Sequence, residues 1–285
     1  MFIETAPGVQ LFVQVQGEGE AVVLLHGHSL DHTVFDPLAE PLAAAGYRVV
    51  RYDQRGHGRS SSPPQGYRFG DHVADLAALL AALGVGWAHL VGLSKGGGIA
   101  LEAALRRPEL VRSLVLLGPL VPDYPLPEEF VGFFRTLARA IRQQGVEPAV
   151  RQLWLPHPLF ASALRDPRTR QKLEAMVLRF PAGEYLATAR DEPDRSWSVA
   201  ERLGEIACPT LVVAGEADIP EFRAMAQFAA QRIPGACLAL ISACGHLLPL
   251  EAPEPLLELL LPFLASQRPP ERFTGTSGPS RGGSP

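Results

Sequence analysis

Short, unbroken apolar runs alternate along this chain with stretches in which apolar residues recur every three or four positions. The first unbroken run is Ala21-Val22-Val23-Leu24-Leu25, set off by the turn residues Gly17-Glu18-Gly19-Glu20. A run this short, bounded by turn signals, predicts a strand buried on both faces. Further apolar-rich segments predict strands over 47–52, 87–93, 110–117, 210–214 and 237–241. Residues 9–15 differ, because glutamines alternate with apolar positions as in a half-exposed strand. Helical spacing predicts helices over 35–45 (closed by Gly46), 71–83 (stopped by Gly84), 99–107, 221–232 and 255–265.

Strand and helix in regular alternation predict an α/β fold, with a mostly parallel sheet of about eight strands and helices on both faces. The rhythm breaks over 121–206. There the chain offers helical segments at 128–143, 169–179 and 197–203 and loops rich in Pro and Arg, but no buried strand. The expected organisation is a core built from 1–120 and 207–266, with 121–206 as a helical cap riding on it. Residues 267–285 are rich in Pro, Gly and Ser and are expected to be disordered.

Composition narrows the class. A chain of 285 residues can hold one sizeable core, and 47% apolar with 20% charged residues describes an ordinary soluble globule. A formal charge of −4 leaves no basic footprint, so nucleic acid is not an expected partner. No apolar stretch approaches the roughly 20 residues a membrane span needs. The first residues, MFIETAPG, carry neither a basic region nor a long apolar one, so no secretory signal is read. Cys208, Cys237 and Cys244 are odd in number and lack metal-type spacing, which points to a reducing cytoplasm without a disulfide framework.

The candidate chemistry gathers on Gly92-Leu93-Ser94-Lys95-Gly96, where a predicted strand meets a predicted helix. A turn this sharp leaves no room for side chains at Gly92 and Gly96 and projects the Ser94 hydroxyl at its tip. A hydroxyl needs a base to take its proton, and the base needs a third group to orient it. In a parallel sheet, ligands bind beyond the carboxyl ends of the strands, so the partners should follow strands too. Asp218 follows the strand over 210–214, with Glu216 and Glu221 as rival acids, and His246 follows the strand over 237–241. The order Ser94, Asp218, His246 is the order such a site requires.

A tetrahedral intermediate needs two N–H donors, each worth roughly 3 kcal/mol. The Lys95 amide is the first, and the loop His26-Gly27-His28-Ser29 supplies the second through the amide of His28, with Ser29 as fallback. The Lys95 side chain could favour anionic substrates, but the preferred reading is that it snorkels to solvent. The side chains of His26 and His57 are read as structural, and His32, His72, His89 and His157 as surface or core residues. No histidine pair has ligand spacing with a third ligand, so neither a metal nor a cofactor is expected. Phe130, Phe133, Phe134, Trp154, Phe160, Tyr185 and Trp197 are the cap's available wall material, with Phe130, Phe134, Trp154, Tyr185 and Ser29 taken as pocket residues. Cys244 is read as a small packing residue.

Taken in order, His26-Gly27-His28, Asp53-Gln54-Arg55-Gly56-His57-Gly58-Arg59-Ser60, Gly92-Leu93-Ser94-Lys95-Gly96, Gly215-Glu216-Ala217-Asp218 and Gly245-His246 resemble the α/β-hydrolase superfamily over roughly residues 1–266. The resemblance implies a Ser-Asp-His triad, a two-amide oxyanion hole and a helical cap. Ser94 argues against dehalogenases and epoxide hydrolases, which carry aspartate there, and against dienelactone hydrolases, which carry cysteine. Asp218-Ile219-Pro220-Glu221-Phe222 and Cys244-Gly245-His246-Leu247-Leu248-Pro249-Leu250-Glu251 look most like the 3-oxoadipate enol-lactonase and small arylesterase group. The expected function is hydrolysis of a small-molecule ester or lactone through an acyl-enzyme. C–C bond hydrolysis of ring-fission products and cofactor-free perhydrolysis use the same motifs, and a ligand receptor on this scaffold is the non-enzymatic alternative.

Overall fold

In the computed structural model, which describes residues 1–189, 191 and 196–267, the apolar runs pair into one eight-stranded sheet. Its strands are β1 (Phe2–Ala6), β2 (Val9–Gln16), β3 (Glu20–Leu25), β4 (Tyr47–Tyr52), β5 (Ala88–Leu93), β6 (Val111–Leu117), β7 (Thr210–Gly215) and β8 (Cys237–Ile241). They lie in the order β1-β2-β4-β3-β5-β6-β7-β8. The pairs β1–β2 and β2–β4 are antiparallel and every later pair is parallel. Strands β5 and β7 are buried along their whole length, which is why they read as continuous apolar runs. Each fully buried Leu or Val there contributes about 1.5–3 kcal/mol.

Two expectations are amended. Strand β1 was not foreseen, because an edge strand with Phe2 and Glu4 exposed has no unbroken apolar run to announce it. Helix α3 (Lys95–Arg106, the third long helix after α1, Asp36–Ala44, and α2, Phe69–Ala82) begins four residues earlier than its spacing predicts. Gly96-Gly97-Gly98 disfavours helix by about 1 kcal/mol per glycine. Packing overrides that propensity, since the helix runs against β5 and β6 with no room for side chains on this turn.

The sheet sets the site's position. After β3 the chain crosses to β4 on one side, and after β5 it crosses to β6 on the other. The crevice therefore opens beyond the carboxyl ends of β3 and β5, where the strand order reverses. Between β6 and β7 the described residues form helices and no strand. The longest is α4 (Glu128–Gln144), whose first turn carries Glu128 and Glu129 where the helix dipole favours negative charge. Its apolar stripe buries Phe130, Leu137 and Ile141. No described helix is long and apolar enough to cross a membrane. The expectation of disorder over 267–285 falls, apart from Gln267, outside the described residues.

Candidate active site

Ser94 sits between β5 and α3 at φ 53° and ψ −117°, a left-handed backbone that a non-glycine residue adopts only when its surroundings enforce it. The enforcement is visible. Its N–H donates to the Leu117 carbonyl at 2.9 Å, and its own carbonyl accepts from Gly97 at 2.8 Å and Leu120 at 3.0 Å. A Cβ at Gly92 would strike the Gly96 carbonyl, and one at Gly96 would strike the Leu25 carbonyl. Both glycines therefore serve the close approach expected of them. The Lys95 amide opens α3, where helix N–H groups have no intrahelical acceptor. Among the described residues neither this amide nor that of His28 donates to another carbonyl.

Asp218 and His246 come together as the sequence predicts. Asp218 Oδ2 lies 2.8 Å from His246 Nδ1, and Oδ1 accepts from the Ile219 amide at 2.7 Å. Both side chains are buried, and the imidazole lies against the Phe222 ring at a centroid distance of 4.2 Å. With Nδ1 committed to Asp218, Nε2 is left buried with no hydrogen-bond partner among the described residues, Ser94 Oγ included. Ser94 and His246 line one cavity of about 400 Å³. The rivals Glu216 and Glu221 stand outside this pair.

Phe130, Phe134, Trp154, Phe160 and Tyr185 line the same cavity, together with His28 and Lys95. Three wall assignments are corrected. Ser29 lies behind the wall, its Oγ accepting from Trp154 Nε1 at 2.6 Å. Phe133 packs behind the wall, edge-to-face with Phe134 and tilted against Trp154. Trp197 lines a separate cleft, donating to Glu102 at 3.1 Å between the guanidiniums of Arg106 and Arg202.

The Lys95 side chain does not snorkel to solvent. It is buried, and its Nζ donates to Glu184 Oε2 at 2.7 Å. Glu184 Oε1 meets His28 Nδ1 at 2.7 Å, and His28 Nε2 meets the Tyr185 hydroxyl at 3.0 Å. Burial by itself would raise the Glu184 pKa, but the Lys95 ammonium and His28 outweigh it and hold the carboxyl well below its ordinary range. A short helix from the insertion, Gly183–Leu186, supplies this carboxylate 89 residues away from Lys95. No local pattern announces such a pair.

A family model for the alpha/beta hydrolase fold matches residues 20–253. The chain belongs to the α/β-hydrolase family. Among curated relatives of this α/β hydrolase, the 2-hydroxy-6-oxononadienedioate/2-hydroxy-6-oxononatrienedioate hydrolase of Paraburkholderia xenovorans is 32% identical over 272 residues, covering 90% of this chain and 91% of the relative. Among solved structures, Est816, described as an N-acyl homoserine lactone degrading enzyme, is 32% identical with a TM-score of 0.76, covering 92% of this chain and 100% of that one. A thermophilic esterase from Thermogutta terrifontis is 28% identical with a TM-score of 0.80, covering 92% and 95%. The enol-lactonase of Burkholderia xenovorans, at 22% identity and a TM-score of 0.79, shares the fold.

The rings of His26 and His57 are held by hydrogen bonds to backbone groups of the loops around them. His26 Nε2 accepts from the Gln54 amide at 2.9 Å, and His57 Nδ1 lies 3.0 Å from the Arg55 carbonyl. Burial pushes both pKa values down, so both rings are neutral near pH 7. Two groups of the described residues could hold a metal ion: His28, His57 and Glu184, and Asp31, His32 and Asp53. Each already holds a protein cation, Lys95 on Glu184 and Arg179 on Asp31 at 2.9 Å. Cys244 packs as expected, its thiol pushed up to about 12 by burial and by the nearby Glu251 and Asp218. Sequence reasoning missed Glu251, whose two oxygens accept the amides of Gly245 at 2.9 Å and Leu247 at 2.8 Å, on either side of His246. The signal was an acid at the end of an otherwise apolar run, Leu247 to Leu250, where a half-buried carboxylate needs donors.

Proposed function

We propose that this α/β hydrolase cleaves small, uncharged carboxylic esters or lactones through Ser94, His246 and Asp218. The observation that carries the reading is the buried Nε2 of His246, without a hydrogen-bond partner among the described residues and fixed from behind by Asp218, on the apolar cavity that Ser94 also lines. His246 takes the Ser94 proton as Oγ attacks the carbonyl carbon. The oxyanion rests on the amides of Lys95 and His28. The imidazolium, stabilised by Asp218, protonates the leaving alkoxide, and the acyl-enzyme forms. His246 then deprotonates water for deacylation, and Ser94 recovers its proton. The reaction as proposed needs no metal or cofactor, and the insertion roofs the cavity as a cap.

Charge favours an uncharged substrate. Among the described residues lining the cavity, Lys95 is the one permanent cation and Glu184 the one carboxylate, and they neutralise each other. Likeness to the Paraburkholderia relative favours a second reading, C–C hydrolysis, but that relative's named substrates are dioates, and an anionic end finds no uncompensated cation here. A panel of p-nitrophenyl esters, lactones, ring-fission products and peracid formation separates the two. Turnover of esters or lactones is expected, with Ser94→Ala reducing kcat by about 10⁴-fold or more. Turnover of ring-fission products alone would replace this reading, and failure of Ser94 to react with a fluorophosphonate would end it.

A further inference from the structure

The ion pair at the polar end of the cavity is assembled from two parts of the chain. Lys95 belongs to the core turn that carries Ser94, whereas Glu184 belongs to the insertion. The short helix bearing Glu184 is anchored on both sides. Its Gly183 amide donates to the Gly56 carbonyl at 3.4 Å, and Arg142 of α4 donates to the Tyr185 carbonyl at 2.8 Å. His28 adds a second hold on the same carboxylate. The carboxylate is thus placed against the ammonium by the fold, and both groups face the space in which a substrate carbonyl would reach Ser94.

An ammonium next to the nucleophile, in an apolar cavity, is by itself a binding site for a carboxylate. We propose that Lys95 forms such a subsite, for the ω-carboxylate of a short dicarboxylic monoester, and that Glu184 masks it. The insertion thereby sets substrate charge. With Glu184 in place the cavity rejects anionic esters, because a second carboxylate must either displace the first or sit beside it desolvated. With Glu184 neutral, the same cavity accepts them. Glu184 is in this sense a specificity-determining residue. The inference rests on the reading of the cavity as an ester and lactone site, and it extends that reading to the charge of the chain beyond the carbonyl.

The test uses two esters of equal length, dimethyl adipate (neutral) and monomethyl adipate (anionic), with binding measured by calorimetry on the Ser94→Ala protein so that chemistry does not intervene. The diester is expected to bind this protein at least about 10-fold more tightly than the monoester, a modest value for a charge left without its hydrogen-bond partner. Adding Glu184→Gln should raise monoester affinity about 10- to 100-fold relative to diester affinity. Adding Lys95→Met to that variant should abolish the gain. Lys95→Met alone changes no residue of the insertion, and it is the second variant for the case in which Glu184→Gln disturbs folding. It unmasks Glu184 instead, and methyl 5-(trimethylammonio)pentanoate should then gain affinity by a similar factor.

Equal binding of the two adipates by Ser94→Ala would overturn the proposal. So would a monoester gain that survives Lys95→Met, or no gain by either charged ester in its matching variant. Failure of the ester reading registers separately, as a wild-type protein that hydrolyses neither adipate nor a p-nitrophenyl ester.

Discussion

Glu251 lies five residues beyond His246 and grips the loop that carries it by two backbone amides, at Gly245 and Leu247. Replacing it by glutamine keeps one acceptor and turns an NH₂ group toward the other amide, so one donor loses its partner and meets another donor. An unsatisfied buried donor costs about 1–3 kcal/mol. The positional effect is larger, because a displacement of about 1 Å at a reacting group can lower a rate by 10²-fold. Glu251→Gln is therefore expected to lower kcat for a p-nitrophenyl ester about 10- to 100-fold in a protein that still folds. A kcat within twofold of wild type would contradict this role. Ser94, Asp218 and His246 were legible because each stands just past a strand, where sequence position fixes location. Glu251 and Glu184 were not, since each acts through a contact that only the finished fold creates. Lys95 was misread for the same reason, its partner lying 89 residues away.

The legibility of elements follows their apolar runs more than their burial, since β8 lies largely exposed at an edge and is still readable as a strand. Strands inside the sheet announce themselves, while β1 and the first turn of α3 do not, because an edge tolerates polar residues and packing can force glycines into a helix. The insertion was readable as helical without its docking being readable at all. Trp154 makes that docking specific. It is almost fully buried, packs edge-to-face against Phe160 and at a tilt against Phe134, and donates to Ser29 in the loop after β3. Ser29 itself has a φ of 60°, so the indole bond also steadies a left-handed residue next to the candidate oxyanion amide of His28. Trp154→Ala is expected to cost about 3–5 kcal/mol. Trp154→Phe restores part of the packing but not the bond to Ser29. Calorimetry should thus rank wild type above Phe and Phe above Ala in Tm. If the bond matters to the loop, kcat should fall in the Phe variant by more than its KM rises. Equal Tm for the Phe and Ala variants would show that the ring's packing is not what holds the insertion down.

On the scale of the whole molecule, buried titratable groups make stability depend on pH in two stages. His26, His57 and His72 are buried in the fold, and burial, the largest cause in each case, holds their pKa values below the ordinary 6.5. Lys95 opposes the charging of all three. Unfolding returns these rings to water, where they take up protons near 6.5. Below that pH the unfolded chain binds more protons than the folded one, so stability falls as pH falls, by up to about 1.4 kcal/mol per pH unit for each ring. Above about pH 7 both states are neutral at these sites and the effect vanishes. A second stage comes from Glu184, whose folded pKa lies well below the ordinary 4.5. Its contribution is present above the unfolded value and is lost as pH drops through the folded one. Urea denaturation at pH 7.5, 6.5, 5.5 and 4.5 should give stabilities that are level at first and then decline steadily from about 6.5. His72→Phe isolates one ring: among the described residues its Nε2 is buried without a partner, so removing it relieves an unsatisfied nitrogen while deleting one proton from the slope. That variant should stay within about 2 kcal/mol of wild type at pH 7.5 and lose less stability than wild type between pH 6.5 and 5.5. Parallel curves for the two proteins over that interval would mean that His72 is not held neutral by the fold.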